Sequence, residues 1–513
     1  MKLRQLAAGV ATGYVTKAVQ FVATMALVPF LLRPEILGVD DYGRAYTLIA
    51  FMGLGSVLTA GIRLSFVRSV SRDLGAQLEG GGHQIGRLIG SGTAVLLVIC
   101  GVISAIGLVF EVGILGGVRF PDSDEYRVAW RLALVWMTAE NALFLFRSPL
   151  MARGAISFVN YVVMAEVALR LVTLVVLLPR TAHPFAVYFA AHALFCTLRS
   201  LAFVAWSLVR FPDDLRGLAQ VRFESIRETL LYSTSITLAH TASFLVLRAP
   251  VMLASRYLGA TEAGFIAIVI NTIQNYVQQM LLAVVQPIAV PIAARFDPRR
   301  ISAAARSFFY DLEGLYCASV IVVTSLLTVV APDLVLIWLG PGYEPIVLPA
   351  QVILAGCAVE IAYAVRRSLL IGQGLLQHAI FRILAMAIVT TLAVSFCIIV
   401  QGEWAPAAFV TGGYLIVSNV LGIGSIWSRH FAVDEERSRG RRRFAAFLPA
   451  LAAAIAGSLF AGELDWRIDV ALAGTALAWS VLCVQLLVMP VRRIGTTLQR
   501  LRLSMDRDLF GAR

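Results

Sequence analysis

The chain has 513 residues, 59% hydrophobic and 14% charged, with a mean hydropathy of +0.81 and a net charge of +12. Soluble globular chains carry about 45–50% apolar and about 25% charged residues, so the composition excludes a soluble globular protein. The basic excess must therefore be read against a bilayer, and no nucleic-acid partner is expected.

The opening segment, MKLRQLAAGVATGYVTKAVQFVATMALVPFLL, is too long for a signal-peptide core and is interrupted by Lys17, so it reads as a first membrane span. A helix crossing the ~30 Å hydrocarbon layer needs about 20 mostly apolar residues. Runs of that kind fall at 8–32, 44–65, 88–110, 129–149, 156–178 and 184–208, forming a first lobe over 1–208. A polar inter-lobe linker, 209–228, leads to spans at 229–250, 263–286, 314–331, 346–365, 380–400 and 406–428, a second lobe over 229–428. A basic linker, 429–443, precedes a last pair of helices within 444–490, at 444–462 and 468–489. The tail 491–513 spaces Ile494, Leu498, Leu501, Met505 and Leu509 helically among arginines and reads as a basic amphipathic segment on the inner surface.

The expected fold class is an all-α polytopic membrane protein with fourteen transmembrane helices. With both termini inside, the inner side collects 31 Lys/Arg against 14 Asp/Glu and the outer side 9 against 14, as the positive-inside rule demands. Away from the span ends six charges remain within spans: Lys17, Arg170 and Arg199 against Glu140, Glu166 and Glu360. The six cysteines, Cys100, Cys196, Cys317, Cys357, Cys397 and Cys483, lie in apolar runs without metal-ligand spacing. No G-x-x-x-x-G-K-[ST] occurs, and neither a cofactor nor a metal is expected.

The chain also repeats itself. LGVDDYG after span 1 (Leu37, Gly38, Gly43) returns as LGATEAG after span 7 (Leu258, Gly259, Gly264), and Glu140, Arg147-Ser148 and Leu150 return 220 residues later as Glu360, Arg367-Ser368 and Leu370. Six spans per copy is an even number, so both copies start inside. They form two parallel six-helix repeats related by an axis along the membrane normal, a plan common among secondary transporters.

These patterns carry a resemblance. LVPFLLRPEILGVDDYGRAYTLI, LASRYLGATEAGFIA, PDLVLIWLGPGYEPIVLPAQVIL and the following GQG resemble the polysaccharide-transporter branch of the multidrug/oligosaccharidyl-lipid/polysaccharide exporter superfamily. The resemblance implies a MATE-like, V-shaped two-lobe fold plus two C-terminal helices in the bacterial inner membrane. It implies a flippase, not an enzyme, for undecaprenyl-pyrophosphate-linked oligosaccharide, with helices 13 and 14 flanking a groove for the lipid tail. Expected partners are that glycan, membrane lipids, H+ or Na+, and polysaccharide polymerase or assembly proteins. A drug or metabolite cation antiporter of the multidrug branch is the alternative, and a membrane glycosyltransferase, suggested by Asp122 and Asp124, is a weaker one. Such families often carry an acidic residue late in span 7, where this chain has Leu247-Arg248-Ala249-Pro250, so no cation site is carried over.

Helix 1 presents Thr12, Thr16, Lys17, Gln20 and Thr24, and helix 7 presents Ser233, Thr237, His240 and Thr241. Helices 1 and 7 line the central cavity in the resembling flippases. Helix 8 adds Asn271, Gln274, Asn275 and Gln278 on one face. Amides and hydroxyls suit sugar hydroxyls, and Lys17 suits a pyrophosphate; interhelical hydrogen bonding is the competing reading. Glu140 and Glu360 are candidates for proton coupling or are structural carboxylates. Arg170 pairs with Glu166 at i,i+4 or meets substrate, Arg199 snorkels inward, and Arg63 and Arg248 anchor at span ends, Arg248 also near the outward mouth.

Overall fold

A computed structural model of the chain describes residues 3–77, 85–152, 155–213, 215–220, 223–275, 277–278, 303–372 and 377–424. Spans 13 and 14, the basic linker before them and the basic tail lie outside the described residues. The described residues are mostly helical, as the composition requires in a medium where backbone groups must bond within their own segment. Ten of the described helices are long and apolar enough to cross a membrane.

In chain order the helices are α1 (Leu3–Leu31), α2 (Gly38–Gln77), α3 (Ile85–Val109), α4 (Glu111–Gly117), α5 (Asp124–Ala142), α6 (Arg147–Ala152), α7 (Ile156–Leu177) and α8 (Pro184–Arg210). There follow α9 (Phe223–Leu247), α10 (Ala249–Tyr257), α11 (Ala260–Ile266) and a π-helical stretch, Ala267–Gln274. The remainder comprises α12 (Ala303–Leu339), α13 (Val347–Ala362), α14 (Ala364–Gly372), α15 (Gln377–Phe396) and α16 (Ala405–Val417), with π-helical turns at Cys397–Gln401 and Ser418–Ile423.

These residues fall into two compact units, Met1–Ala267 with Ser395–Trp404, and Ile268–Val394 with the residues from Ala405 onward. In the first unit α2 packs along α9 and α11, α1 on α7, and α5 on α8. The segment read as an inter-lobe linker docks on α3: Leu215 is buried, and the backbone at Arg216 and Leu218 closes on Gly86 and Gly90. At the far end of α8, Glu125 Oε1 accepts from the Phe185 N–H at 2.9 Å, setting a carboxylate on the positive end of that helix. In the second unit α13 packs against α12 and α16.

The internal repeat is visible in these elements. The α5–α8 pair of the first copy returns as α13–α16, and both copies break at the same point, α5 at Leu143 and α13 at Tyr363. The continuous helix expected from Glu140 to Arg147 is therefore interrupted by a 3-10 turn at Phe144–Phe146, and Arg147 opens a new helix, α6.

The two glycine motifs meet each other. A Cβ at Gly43 would collide with the Ala260 carbonyl and the Gly264 amide, and one at Gly264 would collide with the Val39 carbonyl. Thr261 donates its hydroxyl to Asp40, a residue 221 positions away. Val39, Asp40 and Gly43 correspond at that offset to Ala260, Thr261 and Gly264, so the motifs touch as across a local two-fold axis.

This contact sets a test. Gly43→Ala places a methyl into backbone and is expected to destabilise by about 1–3 kcal/mol, lowering the melting temperature in detergent. Gly413→Ala, in α16 with open space at its Cβ, keeps or raises it, because alanine is the better helix former. Equal melting temperatures for the two variants would contradict the packing described.

Candidate functional site

Charged groups from α5, α7 and α8 close on one another inside the first unit. Arg199 divides its fork between two carboxylates: Nη1 donates to Glu166 Oε2 at 2.8 Å, and Nη2 donates to Glu140 Oε2. Arg170 Nη1 donates to the other oxygen of Glu166 at 2.8 Å, and the Cys196 thiol donates to Glu140 Oε2 at 3.1 Å. The Glu166–Arg170 pair expected from i,i+4 spacing is present. The snorkelling read for Arg199 is not, because two carboxylates at its own level give charge-assisted bonds and offset its desolvation.

Glu140 keeps 38% of its side chain accessible although helices flank it, whereas Glu166 keeps 4%. Arg63 of α2 stands over the Phe144 ring at 4.9 Å, and its charge and that of Arg147 reach Glu140. Among the described residues neither Arg63 nor Arg147 makes a side-chain hydrogen bond or ion pair, and the Arg147 Nε is buried without a partner. Lys17 of α1 donates Nζ to Gln20 Oε1 at 3.0 Å and lies within reach of the Arg147 charge. His240, exposed on α9, lies within reach of Arg63.

The carboxylates here are thus bound to Arg199 and Arg170, while Arg63 and Arg147 add positive charge without an ion pair of their own among the described residues. Such a group can take up an anion through charge-assisted hydrogen bonds.

The other residues singled out in the sequence are distributed around and away from this cluster. Thr16 is buried against α7, its hydroxyl donating to the Thr12 carbonyl at 2.8 Å and the Asn160 carbonyl at 3.3 Å. Thr237 packs where α9 meets Gly61 of α2, and Thr241 donates to the Thr237 carbonyl at 2.9 Å. Arg248 caps the start of α10, its stem against Gly53. Asn271 and Gln274 are buried in the π-helical stretch, where Asn271 Nδ2 and both polar atoms of the Gln274 amide have no hydrogen-bond partner among the described residues, and Asn275 and Gln278 are half-buried. On the surface, Asp122 pairs with Arg127 at 2.6 Å, and no group of His, Cys, Asp and Glu among the described residues could hold a metal ion.

Glu360 occupies the second unit, bonded through Oε1 to Arg367 Nη1 at 3.0 Å, with Oε2 buried and without a hydrogen-bond partner among the described residues. Arg367 Nη2 also donates to Asn419 Oδ1 at 2.7 Å. At the repeat offset of 220, Asn419 is the counterpart of Arg199. In the first copy Arg199 takes Glu140, and Arg147 is left over; in the second the neutral Asn419 leaves Glu360 to Arg367. Reading Arg63 as a span-end anchor and Arg147 as a repeat marker misses their place beside Glu140, and Asn419 gains meaning only when the two copies are aligned position by position.

No known family profile and no curated protein matches the chain. Its fold does match solved structures. One is a multidrug resistance MATE family transporter of the MOP superfamily in an inward-facing conformation, with a TM-score of 0.56 and 14% identity over 79% of this chain and 98% of that one. A variant of the Vibrio cholerae MATE transporter VcmN matches with a TM-score of 0.53 and 13% identity over 83% of this chain and 97% of that one. The eukaryotic MATE transporter AtDTX14 matches with a TM-score of 0.52 and 12% identity over 82% and 93%. The chain therefore has the MATE fold.

Arg199 makes a stability prediction. Arg199→Gln strips Glu140 and Glu166 of a shared cation and is expected to cost about 3–5 kcal/mol, the usual penalty for half of a buried pair. Arg199→Lys recovers only part of it, since an ammonium cannot fork between two carboxylates. Thermal unfolding in detergent checks both, and a wild-type transition for Arg199→Gln would remove the cluster's structural role.

Proposed function

We propose that the protein is a membrane transporter, not an enzyme, and that its substrate is a polyprenyl-pyrophosphate-linked oligosaccharide moved between leaflets by alternating access. The observation that carries this reading is the positive charge of Arg63 and Arg147 beside carboxylates already bonded to Arg199 and Arg170. A pyrophosphate headgroup supplies the negative charge this group lacks. The fold supports transport, and the sequence resemblance supports the lipid-linked class.

In this mechanism the chain makes and breaks no covalent bond. Arg147, with its buried Nε unpartnered, and Lys17 receive phosphate oxygens as donors. Arg63 adds charge from α2, and His240 lies beside it. Glu140 and Glu166 hold Arg199 and Arg170 in place, so these two arginines position the site instead of binding the headgroup. The two lobes at 1–208 and 229–428, the inner-membrane location with inward termini, and a lipid groove beside helices 13 and 14 belong to the same proposal.

A second reading, export of cationic drugs or metabolites, is favoured by the description of one structural neighbour as a multidrug resistance transporter. Charge separates the two, because a site for cations would need free carboxylates where this one has free arginines.

In proteoliposomes carrying a fluorescent polyprenyl-pyrophosphate sugar, Arg147→Gln and Lys17→Gln are each expected to lower flipping about tenfold or more, since one charge-assisted bond is worth roughly 1.5–3 kcal/mol. Both variants are expected to keep the wild-type melting temperature. Efflux of a cationic dye by the wild type, with no movement of the lipid-linked sugar, would instead establish the second reading.

A further inference from the structure

We infer that Phe144 is a positioning residue for the proposed site, its ring holding the Arg63 guanidinium where the N–H edge receives phosphate oxygens. This rests on the transporter reading above and deepens it, because it makes Arg63 a direct headgroup ligand whose affinity is set by an aromatic neighbour. Arg63 stands over the Phe144 ring at 4.9 Å, and among the described residues it makes no side-chain hydrogen bond or ion pair. Its charge therefore rests on an aromatic face, and its N–H donors have no acceptor there.

The local sequence explains why the ring is there. α5 ends at Leu143, and Phe144–Phe146 form a 3-10 turn, whose three residues per turn send three consecutive side chains in three directions. Leu145 and Phe146 are buried: a Cβ at Gly92 of α3 would meet Leu145, and the Phe146 carbonyl accepts from Ser207 of α8 at 2.9 Å. With those two directions taken, Phe144 lies half-buried on the third, against α2. The backbone of α2 is fixed as well, since Ile62 and Phe66 belong to the same buried cluster and a Cβ at Gly61 would strike the Ser233 carbonyl of α9. What remains free at Arg63 is its long side chain. Held on a ring beforehand, it loses less rotamer freedom when an anion binds.

The second copy supplies the contrast. Its helix breaks at Tyr363, and there too a guanidinium lies over the ring, that of Arg366 at 5.1 Å. Arg366 Nε, however, donates to the buried Glu313 of α12, so that charge is neutralised within the protein. The first copy has the arginine and the ring but no carboxylate on Arg63, because Glu140, whose charge reaches it, is bonded to Arg199. A ring attracts a cation without neutralising it, which leaves Arg63 able to take a ligand with negative oxygens. Its planar fork matches two oxygens of a phosphate, which a halide or a neutral sugar does not offer. The pair thus fits the chemistry that free pyrophosphate and a lipid-linked pyrophosphate share.

The test uses the full-length protein, in nanodiscs for calorimetric titration with inorganic pyrophosphate and in proteoliposomes for flipping of the fluorescent polyprenyl-pyrophosphate sugar. Phe144→Leu keeps an apolar side chain but removes the ring. It should weaken pyrophosphate binding about two- to fivefold and raise the half-saturating concentration of the lipid by the same factor, with the maximal rate unchanged. Phe144→Tyr should restore both. With Arg63→Gln already present, Phe144→Leu should have no further effect, because the ring acts only through the guanidinium. A loss from Phe144→Leu that is as large with Arg63→Gln as without it, or a Phe144→Tyr variant as impaired as Phe144→Leu, overturns the inference. A wild type that neither binds pyrophosphate nor flips the lipid overturns it as well. Effects confined to the lipid, without binding of free pyrophosphate, assign the phosphate oxygens to the lipid-linked headgroup alone. If pyrophosphate binding follows the expected pattern but the lipid-linked sugar never moves, the substrate reading fails while the role of Phe144 stands.

Discussion

An ionised side chain within a membrane span needs an opposite charge, a dense set of hydrogen bonds or water, and the first unit is arranged around how Arg199 meets that need. Its planar fork reaches two carboxylates on two other helices at once, which a lysine could not do. The bond to Glu166 ties α8 to α7, and the bond to Glu140 ties α8 to α5. Arg170 completes the balance on Glu166. Because these charges are spent on one another, Arg63 and Arg147 remain as additional positive charge beside the cluster. Charge cancellation in one place thus creates charge excess in the next.

The second unit solves the same problem with fewer charges. Asn419 replaces the arginine, and the residues opposite Glu166 and Arg170 at the repeat offset are Met386 and Thr390. The helix pair that carries Glu360 is also packed differently. In the first copy Trp136 and His192 stack between α5 and α8 with ring centroids 4.5 Å apart. Their counterparts are Gly356 and Gly412, where the backbones of α13 and α16 approach each other directly. One architecture is therefore held by aromatic bulk and a charge network in one copy, and by close backbone contact and a single ion pair in the other.

Much of the fold was legible in the sequence because the bilayer imposes it. Apolar runs of the required length mark spans, and the repeat of Glu140 and Arg147 at Glu360 and Arg367 marks the duplication. The i,i+4 pair of Glu166 and Arg170 was readable from spacing alone. What spacing cannot give is the partner chosen across helices. Arg199 and Glu140 are 59 residues apart, and nothing in either local sequence says that Arg199, rather than Arg147, takes the carboxylate. The break at Leu143 was hidden for a related reason: the stretch from Trp136 to Leu150 is apolar throughout apart from a few residues, and hydropathy does not record a turn in a helix. Thr16 shows the limit of a polar stripe, since the same hydroxyl that suits a cavity also suits the backbone of a neighbouring helix.

The glycine contact explains why the two copies agree in some places and differ in others. Gly43 and Gly264 touch each other's segments, so a side chain at either would press on the other copy, and the geometry makes the same demand on both. The charged positions lie off that axis. Arg199 meets residues of its own repeat, Glu140 and Glu166, and Asn419 meets Arg367 of its own. A change at Arg199 or Asn419 is therefore answered locally, without a matching change in the other half. A chain with a two-fold contact of this kind can keep a common scaffold at its axis while one copy carries the charge network of Arg199 and the other holds its carboxylate with a single ion pair.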